Sequence, residues 1–513
     1  MKRHYPCLMF IFFISIIFCS CNQRKQQIPS RPNIVFIMSD DHAYQAISAY
    51  GYGLNHTPYL DSLAAEGMLF KHAFVNNSLC APSRAAILTG KYSNMNGIKG
   101  NGDEVFDGSQ ETFPKLLHQA GYQTAMIGKW HLVSYPTGFD YWNILPGQGD
   151  YYNPDFIHNG DTTPVQGYVT NLIIDDAIRW LNQRDSTKPF CVLIWNKAPH
   201  RDWLPEIKYL HEFDSVEIPV PATLFDDYAT RTRAAHEQKM EISKWLAPNY
   251  DLKEEMFPTK THRYDDLWRN VFGRLAPEEQ QEFLHAYKPE NDAFRKANLK
   301  GKKLTLWKYQ RYMKDYLRTI QSVDDNVGRI MNYLKAHHLD KNTIVIYSSD
   351  QGFYLGEHGW FDKRFMYKES FRTPLIIRWP EVVRPGQVNT DPVMNLDIAE
   401  TLLDAAGVKI PNDMQGVSML PILEGKKHED RRKFVYYHYY ESGGEHNVAK
   451  HIGIRSDRYK LIYFYENKQW ELYDMKKDSN ELNNVYGNPA YKIVQDSLTS
   501  ELWKQMKTFR DSI

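Results

Sequence analysis

A set of short apolar runs, each stopping abruptly on polar residues, constrains this chain more than any other feature. Ile34-Val35-Phe36-Ile37-Met38 ends at Ser39-Asp40-Asp41, and Tyr122 to Ile127 runs into Gly128-Lys129-Trp130-His131. Phe190 to Trp195 delivers Asn196-Lys197-Ala198-Pro199-His200, and Thr343 to Tyr347 is followed by Ser348-Ser349-Asp350-Gln351. A continuous rather than alternating apolar run fits a strand buried on both faces, as in a parallel sheet covered by helices. Helical patterns lie between the runs: Thr57-Pro58 to Gly67, Thr112 to Gly121 and Val169 to Leu181. Strands interleaved with helices imply an α/β architecture, a large and mostly parallel sheet sandwiched by helices. Ligands of such sheets bind outside the carboxyl ends of the strands, so the four polar stops are expected to share one crevice.

Further along, residues 202–304 are charged and only patchily periodic, which suggests loops and helices laid over one edge of the sheet. Ile320, Val323, Val327, Ile330 and Leu334 have helical spacing within Tyr312 to Leu334, Pro374 to Trp379 reads as a strand, and Asp397 to Ala406 as a helix. From Lys433 the runs become short and alternating: Phe434 to Tyr440, His451 to Arg455, Tyr459 to Tyr465 and Gln469 to Tyr473. These predict a small antiparallel sheet, closed by a helix over Tyr491 to Phe509. The expected organisation is an amino-terminal signal over 1–21, a large domain over 28–425 and a C-terminal subdomain over 430–513.

With 62 basic and 62 acidic side chains the net charge is zero, so no nucleic-acid partner is expected, although a locally basic pocket is compatible with it. At the amino terminus Lys2, Arg3 and His4 precede an apolar run from Leu8 to Phe18, too short to span a membrane, which reads as an export signal. Ser20-Cys21 resembles a bacterial lipobox, which implies a lipid anchor on Cys21 and a place in the periplasm or cell envelope. Beyond it only Cys80 and Cys191 remain, too few for a disulfide framework.

Cys80-Ala81-Pro82-Ser83-Arg84 leads through Leu88-Thr89-Gly90. Pro82 suits the first turn of a helix and Gly90 its far end, which sets Cys80 at the mouth. Unpaired N–H groups and a partial positive charge make that mouth an anion site, and Arg84 lies about one turn in. Taken alone, Cys80 could equally be a small buried hydrophobe, and Asp40-Asp41 a cap or a solvated turn. Asp40, Asp41, Asp350 and Gln351 offer only oxygen ligands, which select calcium or magnesium over zinc.

The string Cys-x-Pro-Ser-Arg followed by Leu-Thr-Gly resembles the maturation signature of the type I sulfatases, as do Gly-Lys-Trp-His and Lys-Ala-Pro-His further on. The resemblance spans Arg31 to about Val485 and implies the alkaline-phosphatase/sulfatase-like fold. It implies that a maturation enzyme oxidises Cys80 to formylglycine, whose hydrate attacks sulfur and then expels sulfate by collapsing back to the aldehyde. It implies calcium held by Asp40, Asp41, residue 80, Asp350 and Gln351, the last standing where the family usually has Asn. Arg84 and His131 would act on the hydrate, Lys129 and Lys363 would bind sulfate oxygens, and His200 would protonate the departing sugar oxygen. Asn196 to Trp203, Gly356 to Gly359 and Asp362-Lys363-Arg364 look most like the sulfatases that remove 6-O-sulfate from N-acetylglucosamine in glycosaminoglycans and related glycans. Asp362 and Arg364 could grip sugar hydroxyls, and His451 could close the pocket over a terminal sugar. The rival readings are a phosphomono- or phosphodiesterase of the same superfamily and a non-catalytic, lipid-anchored glycan-binding protein.

Overall fold

The computed structural model describes Met1 and residues 31–102, 104–257, 263–426 and 432–513. Apart from Met1, the expected signal and lipid-attachment segment (residues 1–21 with Cys21) and the expected boundaries at 28 and 430 lie outside the described residues. Among the described residues no helix is long and apolar enough to cross a membrane.

Ten strands form the main sheet, in the order Gln387–Asn389, Met68–Phe70, Leu375–Arg378, Thr343–Ser349, Asn33–Ser39, Phe190–Trp195, Gln123–Lys129, Tyr141–Leu145, Asp155–His158 and Asp161–Pro164. The five from Thr343–Ser349 to Tyr141–Leu145 are mutually parallel. Toward the edges the direction changes: Leu375–Arg378 is antiparallel to both its neighbours, and Asp155–Pro164 is an antiparallel hairpin. Hydropathy reports burial, not strand direction, so these reversals leave no mark on the apolar pattern.

The continuous apolar runs are explained by burial on two faces. Val35 and Ile37 enter one layer with Ile127, Val192 and Val345, whereas Ile34, Phe36 and Met38 enter the other with Met126, Leu193 and Ile346. Each such side chain contributes roughly 1.5–3 kcal/mol relative to exposure. Helices Pro58–Ala65, Val169–Gln183 and Gly301–Ala336 cover the first layer, and Cys80–Thr89, Phe113–Gln119 and Asp397–Ala405 the second. The long helix begins at Gly301, well before the expected Tyr312, because its first turns carry Lys302, Lys303 and Lys308 and bury only Thr305 and Tyr309. Within the charged stretch lies a 21-residue helix, Pro277–Ala297, whose start is marked by Pro277, Glu278 and Glu279 rather than by periodicity.

The C-terminal sheet is antiparallel in sequence order, Val435–Tyr439, His451–Arg455, Tyr459–Phe464 and Gln469–Asp474, and helix Lys492–Thr508 packs on it through Leu498 and Leu502. Its Val435, Tyr437, Ile452 and Leu472 share an apolar cluster with Val75, Leu79 and Ala86, so this sheet backs onto the segment that presents Cys80.

Candidate active site

Sheet register brings the strand tips together. Met38 pairs with Ser348 on one side and Trp195 on the other, and Gly128 pairs with Trp195. Asp350-Gln351, Asp40-Asp41, the loop to His200 and Lys129 therefore leave four adjacent parallel strands at the same end. Gly128 lies at φ +103°, where a Cβ would fall 2.1 Å from the Trp195 carbonyl oxygen; only glycine lets this strand come so close.

Helix Cys80–Thr89 points its N-terminus into the crevice and ends at Gly90 with φ +64°. The Cys80 thiol donates to Asp40 Oδ1 at 3.3 Å, with Lys363 Nζ at 3.6 Å and Gln351 Nε2 at 3.9 Å from Sγ. Arg84, one turn further, donates Nε and Nη2 to Asp350 Oδ2 at 3.1 and 2.8 Å, and Nη1 to the Lys129 carbonyl at 2.5 Å. Its guanidinium lies over Trp195, 5.3 Å from the ring centre, and is wholly buried. Lys129 pairs with Asp40, and Lys363 with Asp41. The acidic strand ends are cross-linked, since the Asp41 N–H donates to Asp350 Oδ1 at 3.1 Å and the Tyr316 hydroxyl to the Asp41 carbonyl at 2.6 Å.

Burial disfavours every charge here, and neighbours decide which survive. Burial pushes Asp40 up, but Lys129, His200, Arg84 and Lys363 together hold its carboxyl well below the usual range. Burial and nearby carboxylates lift Asp41 to about 6, against Lys363, and Asp350 to about 7, against Arg84. The Cys80 thiol is pushed up by burial and by Asp40, which leaves it protonated and a poor nucleophile as it stands.

Oxygens of Asp40, Asp41 and Asp350 lie within 4.8 Å of one another. Asp41 Oδ2 and Gln351 Oε1 are buried without a hydrogen-bond partner. Three crowded carboxylates, two of them raised toward neutrality, with an orphaned amide oxygen beside them, form a donor set that fits a hard divalent cation.

His200 donates Nδ1–H to the Arg201 carbonyl at 2.7 Å, which turns Nε2 toward the crevice, 3.7 Å from Asp41 Oδ2. Burial and the Lys129 charge press it well below its ordinary pKa. His131 does not bond to Cys80: its Nε2 faces the Gln148 amide at 3.1 Å and its Nδ1 is buried without a partner. Gln148 also reaches Lys129 Nζ, so one amide ties together two residues that the sequence singles out. Gln148 escapes sequence reading because it lies in the loop after the short strand Tyr141–Leu145, where an isolated amide carries no signal of its own; Gly147 and Gly149 around it are the one visible sign.

Asp362 and Arg364 flank Lys363 at φ +75° and +91°, a left-handed conformation that non-glycine residues rarely hold twice in three positions. Asp362 Oδ1 lies 3.1 Å from Arg364 Nε, and Asp362 Oδ2 3.2 Å from His446 Nε2, while Arg364 Nη1 is 3.4 Å from Glu441 Oε2. His446 and Glu441 sit in a glycine-containing loop before the second C-terminal strand, where nothing in the sequence distinguishes them.

His451 is a correction. It is wholly buried in the C-terminal sheet among Phe365, Tyr437, Tyr439 and Phe464, with ring centres 5.1–5.7 Å away. Its Nδ1 donates to the Ala449 carbonyl at 2.8 Å and its Nε2 accepts the Met366 N–H at 3.1 Å. Both ring nitrogens are used inside the core, so this side chain does not close a sugar pocket.

A mainly parallel sheet whose central tips gather carboxylates, lysines and a helix-mouth cysteine defines the alkaline-phosphatase/sulfatase-like class of ester hydrolases. The sulfatase family profile matches residues 32–408, and the chain belongs to that family of sulfuric ester hydrolases. The profile of the N-sulphoglucosamine sulphohydrolase C-terminal region matches residues 356–508. Among relatives, an N-acetylglucosamine-6-O-sulfatase of Bacteroides thetaiotaomicron is 48% identical over 518 residues, covering 99% of this chain and 92% of that protein. The human N-acetylglucosamine-6-sulfatase is 28% identical over 440 residues, covering 80% and 68%. A structure solved in complex with its substrate, D-glucosamine-2-N,6-O-disulfate, superposes with a TM-score of 0.91 at 49% identity, covering 94% of this chain and 98% of that one.

Proposed function

We propose that this sulfatase hydrolyses the 6-O-sulfate of N-acetylglucosamine-type sugars in sulfated glycans, with residue 80 converted to formylglycine and calcium held by Asp40, Asp41, Asp350 and Gln351. The observation that carries the reading is the position of residue 80, at a helix mouth between the acidic cluster and Lys363. The sugar assignment rests on the substrates named for the relatives at 48–49% identity.

Calcium, when bound, supplies positive charge that keeps the carboxylates ionised and polarises ester oxygens. The formylglycine hydrate supplies a nucleophile that can later release sulfate without hydrolysis of a stable ester. Everything else is done by the chain's own side chains. Lys129 and Lys363 offer two ammonium groups to sulfate oxygens and stabilise charge that grows there. Arg84, locked by Asp350 and the Lys129 carbonyl, holds the floor of the crevice in place. His200, fixed through Nδ1, presents Nε2 for proton transfer to the departing sugar oxygen. Its depressed pKa comes first from burial and then, in smaller part, from Lys129 and Lys363, the same cations a bound sulfate would neutralise, so substrate would relieve that smaller part. Asp362 and Arg364, in their left-handed loop, offer a carboxylate and a guanidinium to sugar hydroxyls.

By the same reading the protein is exported, anchored through a lipid on Cys21, and matured by a separate enzyme acting on Cys80. Sulfate release from 6-sulfated, 3-sulfated and N-sulfated glucosamines, and from a 6-phosphate, tests the substrate; a preference for any but the 6-sulfate refutes it. Mass spectrometry of the peptide containing residue 80, from the native host, tests the aldehyde, and an intact thiol in active protein refutes it.

A further inference from the structure

A second concentration of positive charge lies away from the crevice, in a cavity of about 450 Å³ lined by Phe74, Lys368, Arg372, Arg455, Lys460 and Glu481, among others. None of its lining residues belongs to the Cys80 site. The two lysines are already neutralised: Lys460 pairs with Glu481 at 2.5 Å, and Lys368 with Glu369 at 3.2 Å. The two arginines are not. Among the described residues neither guanidinium makes a hydrogen bond or ion pair, although Arg455 is only 8% exposed and Arg372 Nε is completely buried. Arg455 lies over Phe74 at 4.5 Å, with Glu481 and Asp457 close enough to favour its charge without bonding to it, and Arg372 lies over Tyr44 at 3.8 Å.

Such an arrangement is costly unless something compensates it. A buried cation normally has a carboxylate within reach, and cation–π contact replaces only part of lost hydration. Burial pulls the pKa of Arg455 down to about 10, with the charge of Arg372 acting in the same direction against Glu481 and Asp457, so Arg455 stays cationic at neutral pH. Two donor forks without hydrogen-bond partners line one open volume, and a tetrahedral oxyanion, with several acceptor oxygens and a negative charge, is the complementary ligand.

We propose that this cavity is a second oxyanion site, separate from the catalytic crevice, which takes a sulfate or phosphate group, either free or carried as an ester on a glycan. Aromatic walls and a volume larger than a single ion needs suit a group presented on a sugar, and a site of this kind would hold a sulfated chain while another of its residues occupies the crevice.

Calorimetric titration of the full-length protein with sodium sulfate, and separately with sodium phosphate, at ionic strength held constant with chloride, tests the site. The expected result is one more bound anion per chain in the unaltered protein than in Arg455→Gln, with kcat/KM on a sulfated monosaccharide unchanged within twofold. Asn480→Glu, which adds a carboxylate at the exposed rim of the cavity, is expected to remove the same binding event without touching a buried residue. A sulfated oligosaccharide bound at least tenfold more weakly by both variants identifies a glycan ester as the ligand, whereas loss of inorganic anion binding alone identifies a free ion. Equal stoichiometry and equal oligosaccharide affinity in all three proteins would overturn the proposal.

Discussion

Replacing His451 by phenylalanine separates its observed place in the core from a place over the substrate, because each predicts a different pH signature. In the fold both imidazole nitrogens are engaged and burial depresses the pKa from its ordinary 6.5 to about 3. The unfolded chain therefore binds more protons than the native one between those two values, and stability falls as pH falls through that window. Between pH 8 and pH 5 the loss due to this residue is about 2 kcal/mol, since the unfolded histidine is largely charged at pH 5 while the native one is still neutral. Phenylalanine keeps the ring packing but leaves the Met366 N–H without an acceptor, which costs about 1–3 kcal/mol at pH 8. The variant should thus be the less stable protein at pH 8 but should lose about 2 kcal/mol less on acidification. Urea unfolding at the two pH values measures both quantities, and sulfate release at pH 8 provides the control. A variant with the same acid sensitivity as the parent, or one of unchanged stability with kcat/KM lowered tenfold, would refute the placement.

Other expectations are more direct. Lys363→Ala should lower kcat/KM for sulfate release by about 10²–10³-fold, the scale of losing one stabilising group at a developing charge, with a far smaller change in unfolding midpoint. Gln148→Ala should lower activity by about 10–100-fold through loosened Lys129 and His131, and Gln148→Glu should shift the pH–rate profile because it places a charge between them. Gly128→Ala should destabilise by about 2–5 kcal/mol, from a disallowed φ and the clash with the Trp195 carbonyl, and abolish turnover; urea unfolding and sulfate release measure the two. Exhaustive chelation should abolish activity and lower the thermal midpoint, with calcium restoring both better than magnesium; activity that survives chelation would count against the cation reading of Asp40, Asp41 and Asp350.

The central strands are legible because burial on two faces leaves a continuous apolar run, and the crevice is legible because each run stops on groups with obvious chemistry. Register alone brings the strand tips that carry Asp40, Lys129, Asp350 and the loop to His200 to one end of the sheet, and the helix starting at Cys80 is set against them by its own packing. What stays hidden is of another kind. The edge strands are short, and their direction is not written in hydropathy; helix Pro277–Ala297 is solvated along much of its length, and its buried stripe is narrow, Phe283 and Tyr287 followed by the polar Asn291. His451 misleads because its position, heading an alternating strand after a polar loop, is the same for a core histidine as for a lid. His446 lies in the loop after strand Val435–Tyr439, and only the folded chain reveals that this loop turns back over Asp362.

Cys80 has no exposed surface, and the helix that begins with it is buried along its whole length. A second protein cannot grip a segment in that state, because its backbone is already hydrogen-bonded and its side chains are packed. Any enzyme that alters this thiol must therefore meet the chain while it is still extended, before strands from both ends of the sequence have come together around it. Chemical competence would then be decided during biogenesis, and a molecule that folds unaltered would stay so for the rest of its life.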